Sequence, residues 1–166
     1  MKFFVALISS LLFSMSVSAA DVGTAAPTFT VDAIKNVTAG KINLADYKGK
    51  VVYVDFWASW CAPCKRSLPK LEELRAKYKD KGFEVIAINI DENVEDALSF
   101  LKSYPVSFPV GADAKGVIAS QYHIKGLPTA YIIDRHGLIN HIVEGFDKGT
   151  ELDTIESVTT QLLGQQ

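Results

Sequence analysis

One stretch constrains this chain more than any other: the run Val51–Phe56, followed closely by Cys61 and Cys64. The run is apolar and rich in β-branched residues, the pattern of a buried strand. After the cysteines, Lys65 to Tyr78 is amphipathic at helical spacing, with Leu68, Leu71, Leu74 and Tyr78 on one side. The cysteine pair therefore stands where a strand hands over to a helix N-terminus. The first N–H groups of a helix have no partner within it, and the helix dipole adds partial positive charge there. Both effects favour a thiolate at Cys61, and such sites bring a cysteine from ~8.5 into the range of ~3.5–7.5. Cys61, at the helix tip, is the expected exposed nucleophile. Cys64, about one turn deeper, is the expected resolving thiol.

The spacing fits this use. A helix with a rise of ~1.5 Å and a radius of ~2.3 Å places Cα atoms three apart at ~5 Å, inside the ~4.4–6.8 Å that a disulfide takes. A purely stabilising disulfide is a poor alternative, because so short a loop constrains the unfolded chain little. Half a zinc site needs further ligands, and the chain has 2 cysteines in all. Inert core cysteines fit badly with a pair bracketing Ala62-Pro63 directly after Trp60. Redox chemistry is the expected use.

Composition then removes other classes. With 48% hydrophobic residues the 166-residue chain can bury a core, so disorder is excluded. A net charge of −2 and no Lys/Arg cluster give nucleic acid nothing to bind. Residues 1–20 read as a signal peptide: Lys2, an apolar run from Phe3 to Phe13, then Ser18-Ala19-Ala20 as small residues for cleavage. The apolar run is shorter than the ~20 residues of a spanning helix, so cleavage is favoured over an uncleaved membrane anchor. Residues 21–166 are then one domain, exported to the periplasm. Export normally makes cysteines pair for good, yet both belong to one C-x-x-C and none staples the fold.

In chain order, Thr28–Ala33 and Lys41–Leu44 suggest strands, joined by a turn at Val37–Gly40 into an N-terminal hairpin on one sheet edge. The central strand Val51–Phe56 and the helix to about Asp80 follow, with Pro69 inside the helix. Phe83–Ile90 is a buried strand, parallel to the first through a right-handed crossover. A helix over Val94–Tyr104 is capped by Asp91 or Asn93. Val106–Val110 reads as a short strand and Ala114–Tyr122 as a short helix. Thr129–Ile133 and Leu138–Glu144 form a hairpin around Asp134–Gly137, and Glu151–Leu163 is a last amphipathic helix behind Gly149.

Val54-Asp-Phe-Trp-Ala-Ser-Trp-Cys-Ala-Pro-Cys64 resembles the active-site segment of the thioredoxin superfamily. With the export signal and Gly126-Leu-Pro-Thr-Ala-Tyr-Ile-Ile-Asp134, the chain is similar to the TlpA/ResA-like branch of exported thiol–disulfide oxidoreductases. The resemblance implies an α/β thioredoxin-like fold, a central mixed sheet flanked by helices, with an N-terminal β-hairpin and a central insertion. It also implies a cis bond before Pro128, where base rates alone (~5–6% cis) say trans. That bond would turn the Leu127 backbone toward an extended substrate strand beside Cys61. Trp60, Pro63, Leu127, Pro128 and Gly145 are the implied substrate-binding residues, with Trp57, Ala62 and Phe146 as further apolar surface around the sulfurs.

Asp55 stands mid-strand among apolar residues, where a carboxylate is costly unless paired or protonated. It is either an outward-facing strand acid or a buried carboxyl. The resemblance implies a proton relay that takes the Cys64 proton. Many thioredoxins reach toward this acid with a lysine from the next strand; Ala87 stands at the matching place here, and Ser67 stands where some relatives carry glutamate.

The expected activity is reduction of protein disulfides through Cys61 and Cys64, with the pair renewed by a membrane electron donor of thiol–disulfide type. Ala62-Pro63 supplies no cation to hold an extreme thiolate, which favours a reductant over the alternative, a disulfide-forming oxidant. A Cu(I)-binding assembly protein is the other alternative, although Met1 and Met15 both lie in the signal. A thiol peroxidase usually needs threonine three residues before its attacking cysteine, and Ala58 stands there. His123, His136 and His141 have no ligand spacing, and no metal or cofactor is expected. The protein is expected to act as a monomer on protein thiols or disulfides. Apocytochrome c (hence cytochrome c biogenesis), an oxidase copper-site assembly factor and a damaged envelope protein all suit as substrates.

Overall fold

The computed structural model describes residues 20–36, 38, 40–146 and 150–165. Most of the expected signal peptide, Val37 and Ala39 of the expected turn, and Gly149 lie outside the described residues.

Strands β1 (Thr30–Lys35) and β2 (Lys41–Asn43) pair antiparallel as the expected hairpin. Leu44 does not extend β2 but opens a 3₁₀ turn, capped by the Asn43 side chain accepting from Ala45 N at 3.0 Å. Strand β3 (Val51–Trp57), helix α1 (Cys64–Tyr78) and strand β4 (Phe83–Asn89) form the expected parallel crossover, with Asp55 opposite Ala87 and Trp57 opposite Asn89. Helix α1 runs through Pro69 and ends short of Asp80, in a 3₁₀ turn closed by Gly82 at φ +94.

Helix α2 (Val94–Ser103) takes Asn93 as its cap, whose side chain accepts from Glu95 N at 3.2 Å. The strand expected over Val106–Val110 instead starts at its last residue: β5 is Val110–Ala112. The carbonyls of Val106 and Phe108 are taken by the Asn36 side chain, 2.8 Å each, and Pro109 has no N–H to give a ladder. Helix α3 (Val117–Gln121) is shorter than the expected Ala114–Tyr122. Gly116 is left-handed at φ +65, and Asp113 caps the helix by accepting from Val117 N and Ala119 N, 2.9 Å each. Strands β6 (Thr129–Ile133) and β7 (Ile139–Glu144) make the expected hairpin, and α4 (Thr150–Gly164) closes the chain. Leu138, expected in β7, forms an isolated bridge with Ala25 instead.

The strands lie in one sheet in the order β2-β1-β5-β4-β3-β6-β7. β3, β4 and β5 are parallel, while the hairpins at each edge run antiparallel to their neighbours. Every residue of β3 and β4 is buried, because both faces of the sheet are covered. Side chains alternate between two cores. Tyr53, Trp57, Val85 and Ala87 pack with α1, α2 and α4, whereas Val54, Phe56, Ile86 and Ile88 pack with α3 and the N-terminal segment. Both cysteines belong to the first core.

Candidate active site

Strand β3 ends at Trp57, and the next residues turn outward and back before α1 begins at Cys64. Cys61 and Cys64 are joined as a disulfide with Cα atoms 5.3 Å apart. Cys64 N donates to Cys61 Sγ at 3.3 Å, so a helix N-terminal N–H is aimed at the sulfur expected to become the thiolate. Two details differ from the sequence reading. Cys61 lies three residues ahead of the first helical residue, and it is 4% exposed instead of open to solvent. The turn points Trp60 outward, 69% exposed, and Cys61 inward against the core that holds Trp57, Leu127 and Phe146. Pro63, half-buried, precedes α1 in helical conformation; its carbonyl accepts from Arg66 N at 2.9 Å and Ser67 N at 3.1 Å.

The other wall comes from the start of β6 and the end of β7. Thr129 pairs with Phe56, which places Pro128 beside the end of β3. The Leu127–Pro128 bond is cis. Gly145, left-handed at φ +82, donates its N–H to Pro128 O at 2.8 Å, tying the two strand ends together. Arg66, in the first turn of α1, donates to Phe146 O at 3.2 Å and bridges the two walls. Trp60, Pro63, Leu127, Pro128 and Gly145 thus belong to segments that meet at one end of the sheet.

Asp55 is 1% exposed, on the same sheet face as Tyr53 and Trp57 and hence the face of Cys64, and is not an outward-facing acid. Alanines 87 and 130 flank it in register, and neither carboxyl oxygen has a protein partner. Burial pushes its pKa up to about 8. Burial also raises the Tyr53 hydroxyl well above its ordinary value, with the Asp55 charge adding to the shift. Ser67 is buried, its hydroxyl on Cys64 O at 3.3 Å.

Sequence reasoning missed three side chains. The Asp91 carboxylate is not the α2 cap; it accepts from Ser59 N at 2.9 Å and Ser59 Oγ at 3.0 Å, holding the turn that carries Trp60. Asn89 Nδ2 donates to it at 2.7 Å. No local pattern marks them, since Asp91 stands two residues past β4, where an acid equally suits a helix cap, and its partner Ser59 lies 32 residues away. Among the described residues no group of three or more His, Cys, Asp or Glu could hold a metal.

The arrangement joins a reversible disulfide, a helix N–H on one sulfur, a near-neutral buried acid and an exposed aromatic rim. Residues 22–142 match the AhpC/TSA family. The chain is 38% identical over 133 residues to the thiol-disulfide oxidoreductase ResA of Bacillus thuringiensis, covering 80% of this chain and 75% of that protein. It is 37% identical over 146 residues to ResA of Oceanobacillus iheyensis, covering 87% and 74%. Its fold matches that of a Chlorobium tepidum chain assigned as the thiol:disulfide interchange protein DsbE, with TM-score 0.82 and 40% identity over 88% of this chain and 100% of that one.

Proposed function

The chain belongs to the AhpC/TSA family, has a thioredoxin-like fold and is a thiol–disulfide oxidoreductase of the ResA-like kind, and from this we propose that it reduces protein disulfides in the periplasm. The single observation that carries the reading is the Cys61–Cys64 pair, with the Cys64 N–H on Cys61 Sγ.

In the proposed cycle the reduced protein presents a Cys61 thiolate, stabilised by that N–H. The thiolate attacks one sulfur of a substrate disulfide; the substrate S–S bond breaks, a mixed disulfide forms and the other substrate sulfur leaves as a thiolate that takes a proton from solvent. Cys64 then gives its proton to Asp55 in the ionised form, a fraction that grows as pH rises toward its pKa of about 8, and attacks Cys61 Sγ. The second substrate sulfur is released, and Cys61–Cys64 is left as the disulfide. A membrane donor of thiol–disulfide type returns two electrons. During the mixed disulfide, the substrate chain lies along the Leu127–Pro128 backbone, between Trp60, Pro63 and Gly145.

Residues 1–20 serve as a signal peptide and 21–166 as the thioredoxin-like domain. Lys2 followed by the apolar run and the small residues Ser18-Ala19-Ala20 supports this. The apocytochrome c dithiol is one substrate of suitable chemistry. Reduction of insulin by the mature protein tests the activity. A Cys64→Ser variant tests the roles, since it should accumulate a mixed disulfide through Cys61. Capture by Cys61→Ser and not by Cys64→Ser would reverse the assignment of the two sulfurs.

A further inference from the structure

A buried polar cluster that the cycle above does not use lies directly behind the Trp60 turn. Asn89, fully buried at the end of β4, stands in register with Trp57 at the end of β3. Asp91, two residues on, is 3% exposed. Its Oδ2 accepts from Ser59 N at 2.9 Å and Asn89 Nδ2 at 2.7 Å, its Oδ1 from Ser59 Oγ at 3.0 Å, and its own N–H donates to Asn89 Oδ1 at 3.1 Å. Ile90 N donates to Trp57 O at 3.0 Å, locking the two strand ends beneath the cluster. A buried carboxylate is costly unless its oxygens are hydrogen-bonded, and besides the bond from Asn89 of β4 these bonds come from Ser59 in the turn of three residues. The turn in turn holds Cys61, whose N–H donates to Ala58 O at 3.1 Å.

We propose that Asp91 is a positioning residue of the dithiol–disulfide reaction, acting through Ser59: its carboxylate fixes the Ala58–Trp60 turn and hence Cys61 Sγ against the Cys64 N–H, and its charge opposes a thiolate at Cys61, weighting the pair toward the disulfide. The proposal rests on the reductant reading, because a charge that disfavours the thiolate disfavours the reduced form and makes the dithiol a better electron donor. Other charged or titratable groups near the pair are Asp55 from β3 and Lys65 and Arg66 from the first turn of α1. Asp91 is set apart from them by its bonds to the turn itself.

The test uses the mature protein with Asp91→Asn and, separately, Ser59→Ala, which deletes one bond to the carboxylate but keeps both the charge and the Ser59 N–H bond. Three quantities are read: the equilibrium with a glutathione redox buffer, the alkylation rate of reduced Cys61 by iodoacetamide at pH 7, and kcat against KM in insulin reduction. Asp91→Asn is expected to move the glutathione equilibrium about tenfold toward the dithiol, which is about 30 mV for this two-electron couple, and to speed alkylation. Ser59→Ala is expected to leave that equilibrium within about twofold while lowering kcat several-fold at unchanged KM. Wild-type equilibrium and alkylation rate in Asp91→Asn would overturn the charge effect, and wild-type kcat in Ser59→Ala would overturn the positioning. Should Asp91→Asn fail to fold, Ser59→Ala alone still decides the second point. A wild-type protein inert toward insulin, with the Asp91→Asn shift present, would overturn the reductant reading and uphold the charge effect of Asp91.

Discussion

At Asp55 the chain accepts a buried acid whose oxygens have no protein partner, and the consequence is measurable as pH-dependent stability. Burial raises its pKa from 3.8 to about 8 in the folded protein. The folded state therefore holds a proton that the unfolded chain releases. The stability belonging to the neutral acid is fully present below about pH 4 and is lost as pH rises toward 8, with a slope of up to about 1.4 kcal/mol per pH unit. Urea titrations should show this decline, and Asp55→Asn should abolish it and leave the variant more stable than wild type at pH 9. A wild-type stability that stays level between pH 5 and 8 would contradict the buried-acid account. The same variant should slow release of substrate from the mixed disulfide by ~10²-fold at pH 7, the usual worth of a placed proton acceptor, without slowing the first attack. Rapid-quench measurement of the two steps separates them. That Asp55 lies in the central strand was legible from the run Val51–Phe56, but its burial was not, because an outward-facing acid fits the same run and only the covering of both sheet faces decides between them. The cover over Cys61 was not legible, since it depends on which side chain of the turn goes outward. Nor was Asp91, whose bonds to Ser59 span 32 residues and leave no local pattern.

Among elements, the edge hairpin shows how closely the sheet is fitted. A Cβ built on Gly111 of β5 would stand 2.4 Å from Val31 Cγ1 and 3.3 Å from Ile42 Cδ1, so β1 and β2 lie over that residue only because it has no side chain. Gly111→Ala should then cost ~1–3 kcal/mol through overpacking. The loss should appear as faster amide exchange in β1 and β2, while insulin reduction persists because the dithiol sits at the far side of β4 and β3. Equal exchange rates in variant and wild type would mean the hairpin can lift at no cost. The hairpin, the parallel crossover and the closing hairpin were all legible from alternation and turn residues. The segment between β4 and β6 was misread in detail for identifiable reasons: Asn36, distant in sequence, takes the carbonyls of Val106 and Phe108, and the Asp113 cap shortens α3.

For the whole molecule, the dithiol couples to the fold through a closed cycle of oxidation and unfolding. The class of fold and the place of the cysteines were readable from one stretch, but the direction of electron flow depends on a small difference between large terms. If the folded pair is a stronger reductant than the same two cysteines in the unfolded chain, folding must favour the disulfide, and every ~30 mV of that difference appears as ~1.4 kcal/mol of extra stability in the oxidised form. Chain entropy contributes little, because the Cys61–Cys64 loop is short. The remainder comes from what the site does to a thiolate: the Cys64 N–H supports it, while Asp91 and, once ionised, Asp55 oppose it. With the acids dominant, the oxidised protein should melt above the reduced one by at least ~2–4 °C, the shift of about 1 kcal/mol in a domain of this size. Calorimetry on both redox forms at pH 7 measures it. The reverse order would mean that the fold prefers the dithiol, making the protein an oxidant of its substrates while leaving its exchange chemistry intact.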